Sequence, residues 1–273
     1  MSLLTIDESK CKRDSVCVQE CPMGIIEIKE KDAFPSLVEK SRELCIDCGH
    51  CVAVCPNGAL SHSEIRIENC PPIQKELEIS HEQAFQFLRS RRSIRVFKDQ
   101  PVEQEKIQRL INIARYAPTA ANAQLLEWNV YTDKDTIFRF AELTIEWMRE
   151  LIRNSGSAFA PYYIPVVKAW DAGYESILRG APVVLIPSAP SISNNGLVDL
   201  SIALSYLELA APTLGLGTTW AGLMQAALID SEALQKLVDL PKDHSHHYPM
   251  MLGYPKFKYH RLIERKAPIV HWK

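Results

Sequence analysis

Arg91-Arg92-Ser93-Ile94-Arg95 puts three guanidinium groups and a hydroxyl into one short stretch. A hydrophobic core does not accept that density of fixed charge. A phosphorylated ligand favours it, because Arg presents planar, paired donors to phosphate oxygens. The same stretch also reads as a solvated helix end carrying cations near a helix C-terminus. The residues before it supply that helix. Ser80-His81-Glu82-Gln83 has the form of a capping box, with Phe85 and Leu88 at helical spacing behind it.

The chain has 273 residues, 47% hydrophobic and 23% charged, an ordinary globular balance with room for one large or two modest domains. The net charge of −2 argues against a nucleic-acid binder. The charge is uneven: residues 1–80 carry 9 Lys+Arg against 14 Asp+Glu, whereas the remainder carries 22 against 19. That asymmetry points to two modules. The longest apolar run, Leu200 to Gly217, contains Glu208 and Pro212 and reads as a buried helix rather than a membrane span. Met1 to Glu8 has neither a basic region nor a long apolar stretch, so no signal peptide is expected and the expected compartment is the reducing cytoplasm. Seven of the eight cysteines precede residue 56. Clustered thiols in that compartment are metal ligands more often than disulfides.

The second cysteine group, Cys45-x2-Cys48-x2-Cys51-x3-Cys55-Pro56, has the bacterial spacing for a cubane iron–sulfur cluster. Thiolates three residues apart can wrap one cluster, while the fourth, followed by Pro, leaves the loop and reaches another. A structural zinc site would need a second, distant pair, which the sequence lacks. The first group, Cys11-x2-Asp14-x2-Cys17-x3-Cys21-Pro22, repeats the spacing with Asp14 in place of a thiol. The pair of repeats resembles a two-cluster bacterial ferredoxin. The resemblance implies one cluster on Cys11, Asp14, Cys17 and Cys55 and another on Cys45, Cys48, Cys51 and Cys21. A carboxylate is a harder ligand than a thiolate, so the first site holds either a cubane with an oxygen ligand or a three-iron cluster. Short strands are expected at Ile25–Ile28 and Ala59–His62, with Leu3–Ile6 and Ile65–Ile67 as partners. Cys70 falls outside both repeats and reads as a half-buried free thiol just before a linker at Pro71-Pro72.

Beyond the linker, the pattern predicts helices over Glu103–Tyr116, Lys134–Arg153, Val166–Arg179, Leu197–Leu214 and Ser231–Val238. Strands are expected at Trp128–Thr132, Pro182–Pro187 and Pro249–Gly253. Ala117 to Gln124 is a loop of small residues that lets backbone approach a flat ligand, with Asn122 and Gln124 as amide readers. Ser155 to Pro165, with Tyr162-Tyr163, reads as a lid or substrate-facing loop. Gly215 to Gly222 permits close ligand approach but has neither a dinucleotide fingerprint nor a P-loop. His244, His246 and His247 form either a polar surface loop or a metal site.

Taken in order, Arg91-Arg92-Ser93-x-Arg95, Ala117-Pro118-Thr119-x-x-Asn122-x-Gln124, Arg179-Gly180-Ala181-Pro182, the Gly-Leu-Gly-Thr-Thr-Trp-Ala-Gly loop, Gly253-Tyr254-Pro255 and the Arg265-Lys266 tail resemble a nitroreductase-family flavoprotein. Leu125 and Glu264 depart from the common pattern. The whole chain resembles a ferredoxin–nitroreductase fusion: a two-cluster ferredoxin-like domain over residues 1–75, then an FMN-binding, dimeric α+β domain over residues 76–273. The resemblance implies that Arg91, Arg265 and Lys266 hold the FMN phosphate. Ser93 and Arg95 would reach the ring and ribityl side, and Asn122 and Gln124 the ring edge. Ala221 and Gly222 would offer N–H groups near the flavin N5, and Arg92 and Trp220 belong to the same cofactor-binding set. No side chain is assigned as acid or base. The implied activity is an oxidoreductase in which iron–sulfur clusters relay electrons to FMN for reduction of nitroaromatic, quinone or similar electrophiles. The alternatives are an NAD(P)H-driven reductase with secondary clusters, or a redox sensor or carrier without its own substrate. Expected partners are a second copy of the chain, a small planar electrophile and an external donor such as ferredoxin or NAD(P)H, with no nucleic acid and no membrane.

Overall fold

The computed structural model describes residues 2–154 and 160–273. The chain forms two compact units, Met1–Glu78 with Ala121–Ala123, and Ile79–Ala120 with Gln124–Lys273.

The first unit runs β1 (Leu4–Ile6), α1 (Val16–Glu20), β2 (Ile26–Glu27), β3 (Ser36–Leu37), α2 (Ser41–Leu44), α3 (His50–Ala53) and β4 (Leu60–His62). Strand β1 pairs antiparallel with β4, and β2 with β3. The strand expected at Ile65–Ile67 is absent; a 3-10 turn over Ile67–Asn69 closes there instead, with Cys70 N–H donating to Ile67 O at 3.0 Å. The cysteine repeat is also a repeat of backbone shape at a constant offset of 34 residues. Arg13 and Asp47 have φ of 57° and 49°, Ser15 and Gly49 have 63° and 73°, and Gly24 and Gly58 have 61° and 58°. Left-handed residues turn successive backbone N–H groups to one side and build an anion-binding concavity. Three of these positions are not glycine, so each carries a conformational cost of roughly 1–2 kcal/mol that its surroundings must hold. Those surroundings are slight: Leu3, Leu4, Cys17, Ile25, Ile26 and Leu60 make the core. A unit of under about 80 residues with so few apolar side chains needs a staple such as a metal centre.

The second unit runs α4 (His81–Ser90), α5 (Gln104–Ala114), β5 (Glu127–Tyr131), α6 (Lys134–Arg153), α7 (Ala160–Asp171), β6 (Val183–Pro190), α8 (Gly196–Ala210), β7 (Gly217–Trp220), α9 (Gly222–Asp230), α10 (Glu232–Val238), β8 (His244–His247) and β9 (Met250–Gly253). The sheet is antiparallel in the order β5-β6-β9-β7, with β8 also pairing to β6. Strand β6 is apolar and buried along nearly its whole length because both faces are covered. Val183 and Leu185 face α5 and α8, and Val184 and Ile186 face α6 and α9. Helix α8 and its following turn are apolar enough by composition to cross a membrane. Here Leu200, Leu204 and Leu207 are packed into the core.

Three expectations need correction. Residues 160–165 are not a loop: α7 begins at Ala160 and carries Pro165 within it, while residues 155–159 of the expected lid lie outside the described residues. Pro161 sits in the first turn, where no intrahelical N–H is required, and Pro165 forfeits one bond. That helix ends at Asp171 rather than Arg179, because Gly173 turns the chain at φ 84°. The 244–247 histidines form strand β8 rather than a surface loop. They take separate partners: His244 Nδ1 lies 2.8 Å from Ser188 Oγ, and His247 Nδ1 lies 3.1 Å from Gln225 Oε1.

The segment carrying Arg91–Arg95 crosses the edge of this sheet. Ile94 N–H donates to Thr218 O at 2.8 Å, and Thr219 Oγ1 donates back to Ile94 O. The crossing is possible because Gly217 has no side chain; a Cβ there would lie 2.3 Å from Ile94 Cγ1. We expect Gly217→Ala to destabilise the protein by about 1–3 kcal/mol through overpacking and to displace Arg95. A denaturant titration gives the first quantity, and the flavin retained after purification reports the second.

Candidate functional site

The arginines of the 91–95 stretch separate. The chain is extended there and pinned at Ile94, so Arg95 projects into one cavity while Arg91 and Arg92 line another. Strand β7 borders both.

The cavity at Arg95 has a volume of about 540 Å³ and is lined by Tyr162, Tyr163, Ser176, Arg179 and the run Thr219-Trp220-Ala221-Gly222. This lies within the range of small-molecule and cofactor sites. Burial raises the Tyr163 hydroxyl above the ordinary tyrosine range, with the neighbouring Tyr162 adding to the effect. Ser176 Oγ is buried with no hydrogen-bond partner among the described residues, a group that a bound ligand would satisfy. Ala221 N–H is committed to Pro249 O at 2.9 Å. Gly222 opens α9, whose first N–H groups have no intrahelical acceptor and carry the positive end of the helix, and Gly222 and Leu223 line the cavity. Two cations, aromatic faces, an orphaned hydroxyl and a helix N-terminus suit a flat, anionic, hydrogen-bonding group such as a flavin.

The cavity at Arg91 and Arg92, about 420 Å³, adds Lys98, Lys258 and Tyr259. Arg91 Nη1 meets Glu208 Oε1 at 2.8 Å. Glu208 is a buried carboxylate on the mostly apolar α8, and its Oε2 accepts from Trp220 Nε1 at 3.2 Å. Trp220 in turn stands edge-on to Tyr248 with ring centroids 5.0 Å apart. Arg91 is therefore tied to the strand that lines the Arg95 cavity. A second buried carboxylate, Asp199 of α8, accepts Ala120 N–H at 3.1 Å. Gln124 N–H donates to Thr119 Oγ1 at 3.1 Å. Ala121, Asn122 and Gln124 all have positive φ, a cluster of strained positions of the kind found at ligand clamps.

Asn122 belongs to the first unit: its Nδ2 donates to Ile46 O at 3.0 Å and Asp47 O at 2.9 Å, the carbonyls between Cys45 and Cys48. Arg265 and Lys266 are exposed on the irregular C-terminal segment and line neither of the two cavities. Glu208, Ser176 and Arg179 carry local chemistry that sequence reading missed. Arg179 lies within the Arg179-Gly180-Ala181-Pro182 motif, whereas Glu208 sits in a mostly apolar stretch with no local signal.

Four thiols, Cys21, Cys45, Cys48 and Cys51, line one apolar cavity in the first unit with Leu3, Leu4, Ile25 and Ile26. Burial pushes the Cys51 thiol up to about 11, and Cys21, Cys48 and Cys45 add to the rise. Burial raises Cys17 likewise, followed by the charges of Cys11 and Cys55. The convergence of thiols from separate parts of the chain on one cavity fits a cationic metal centre, which would ionise them on binding. Asp14 is exposed, and its Oδ1 accepts the Val16 N–H at 3.3 Å.

The nitroreductase family model matches residues 88–254, and a 4Fe-4S dicluster domain model matches residues 9–60. An FMN reductase (NAD(P)H) of Bacillus subtilis is 30% identical over 159 residues, which is 57% of this chain and 59% of that protein. A protein of Hydrogenibacillus schlegelii named Ferredoxin 7Fe is 36% identical over 52 residues, 19% of this chain and 60% of its own. Among solved structures, a nitroreductase of Desulfitobacterium hafniense with bound FMN superposes with a TM-score of 0.57 at 20% identity, covering 71% of this chain and 100% of that one; that likeness speaks to fold alone.

Removing Arg91 would leave Glu208 buried without its counter-charge. We expect Arg91→Ala to cost about 2–3 kcal/mol, below the roughly 3–5 kcal/mol of a fully buried pair because the Arg side chain is partly exposed. Arg91→Ala with Glu208→Leu should recover most of that loss, as read from denaturant midpoints.

Proposed function

Because the chain belongs to the nitroreductase family and carries a 4Fe-4S dicluster domain near its N-terminal end, we propose that it is an FMN-dependent oxidoreductase. In this reading iron–sulfur clusters relay electrons to FMN for reduction of nitroaromatic, quinone or similar small electrophiles. The observation that carries it is the convergence of Cys21, Cys45, Cys48 and Cys51 on one cavity in a chain of this family. Bound FMN supplies hydride or single-electron transfer, and the clusters supply one-electron relay.

Residues 1–75 act as the iron–sulfur domain and residues 76–273 as the flavin domain. Cys45, Cys48, Cys51 and Cys21 ligate one cluster. Cys11, Cys17 and Cys55 ligate the other, with Asp14 at its fourth corner. The exposed, amide-bonded Asp14 carboxylate and the relative named as a seven-iron ferredoxin favour a three-iron cluster there. In the flavin domain, Arg95 stabilises negative charge at the ring electrostatically, Ser93 supports the ribityl side, and Gly222 and Trp220 border the ring. Arg92, with Arg91 braced by Glu208, receives the phosphate. Arg265 and Lys266 join it from a second copy in a homodimer. The C-terminal segment supports this, since Phe257, Ile263, Val270 and Trp272 are each more than half exposed on it. Gln124 reads the ring edge; Asn122 braces the cluster loop. Electrons arrive from an external donor such as ferredoxin.

A second reading, direct reduction by NAD(P)H, is favoured by the name of the Bacillus subtilis relative. Anaerobically purified protein should contain FMN and about seven or eight iron atoms per chain, and should reduce a quinone after photoreduction. Flavin without iron overturns the relay, and iron without flavin overturns the reductase. If NADH bleaches the flavin at an undiminished rate in Cys48→Ser, the second reading replaces the first.

A further inference from the structure

His62 is almost fully buried at the end of β4, on the same strand face as Leu60. Its Nδ1 accepts the backbone N–H of Glu64 at 3.1 Å. A nitrogen that accepts cannot carry a proton, so the ring is neutral and its single proton sits on Nε2. That Nε2 lies 3.5 Å from Cys45 Sγ in a hydrogen bond. Asp47 Oδ1 is 3.3 Å from the same nitrogen yet makes no hydrogen bond. The backbone of Glu64 thus selects the tautomer that aims a donor at the sulfur.

We propose that His62 is a positioning residue that raises the reduction potential of one cluster by donating Nε2–H to the Cys45 thiolate. This rests on the assignment of Cys45 to a cluster. A reduced cluster carries more negative charge on its sulfurs, and a hydrogen bond to a ligand sulfur stabilises that state; bonds of this kind are among the determinants of cluster potential. The cavity is apolar, lined by Leu3, Leu4 and Ile25, so the bond is little screened by water.

Within the internal repeat the His62 side-chain donor has no counterpart. The position 34 residues before His62 is Ile28, which has no donor, and the counterpart of Asp47 is Arg13. Cys55 Sγ, a ligand of the other proposed cluster, accepts the Ala59 N–H at 3.3 Å, so two binding loops of matching backbone shape differ in having a side-chain donor to a ligand sulfur. The His62 bond favours electron residence on the cluster held by Cys45, relative to the same cluster without it.

The test is a potentiometric titration of the whole protein, followed by electron paramagnetic resonance, with iron counted in each sample. In His62→Leu we expect the Cys45 cluster to be about tenfold harder to reduce at a fixed potential, a midpoint lowered by about 59 mV for a one-electron couple. His62→Gln, which places an amide N–H at the reach of Nε2, should return the midpoint towards wild type. Pulsed resonance on wild type labelled with 15N-histidine should show nitrogen coupling to the reduced cluster. That measurement decides alone if His62→Leu fails to assemble. Full iron with no histidine coupling, or an unshifted midpoint in His62→Leu, overturns this proposal and leaves the cluster assignment intact. Wild type without iron overturns both.

Discussion

Ile94 lies across β7 at a point where that strand has no side chain, and the flavin-side chemistry hangs on this crossing. Gly217 makes room, and Thr218 and Thr219 provide the hydrogen bonds. The chain direction is then locked, so that Arg95 enters one cavity while Arg91 and Arg92 enter another. Lys256 N–H to Val96 O at 3.0 Å and Lys98 N–H to Tyr254 O at 2.8 Å extend the same anchorage towards Phe97. A flexible arginine-rich loop would have to order itself on binding a phosphate. This one is held beforehand, which lowers the ordering cost of recognition.

Buried polar groups do the fine positioning in both units. Glu208 joins Arg91 to Trp220, Asp199 holds Ala120, and His62 faces Cys45. Each would be a liability in an apolar interior without its partner, and each faces a residue of a proposed cofactor site or the loop beside one. The large core clusters above and below the sheet provide a rigid frame, and these few polar contacts aim what the frame carries.

Chemistry written into local spacing was legible in the sequence. The cysteine groups, the capping box at Ser80 and the amphipathic face of α5, where Ile107, Leu110 and Ala114 are buried, all depend on residues within a turn or two. Contacts between distant positions were not legible. Arg91 and Glu208 are 117 residues apart, and nothing near Glu208 in an apolar helix announces an arginine partner. The histidines at 244–247 read as polar loop because their burial comes from pairing with β6. Tyr162 read as loop because two prolines flank it, although both prolines are accommodated by α7. His62 carried no spacing signal at all; its meaning emerges from the fold of β4 and from comparison with Ile28 in the other half of the repeat.

Placing clusters and flavin on one chain makes sense if electrons pass between them without a diffusional encounter, since a tether replaces concentration. Flash photoreduction of the clusters in the anaerobic protein, followed by flavin bleaching, tests this most directly. The account predicts bleaching at a first-order rate that does not change across a tenfold dilution of the protein. Bleaching that slows in proportion to dilution, or reduced clusters beside a flavin that stays oxidised, would contradict it.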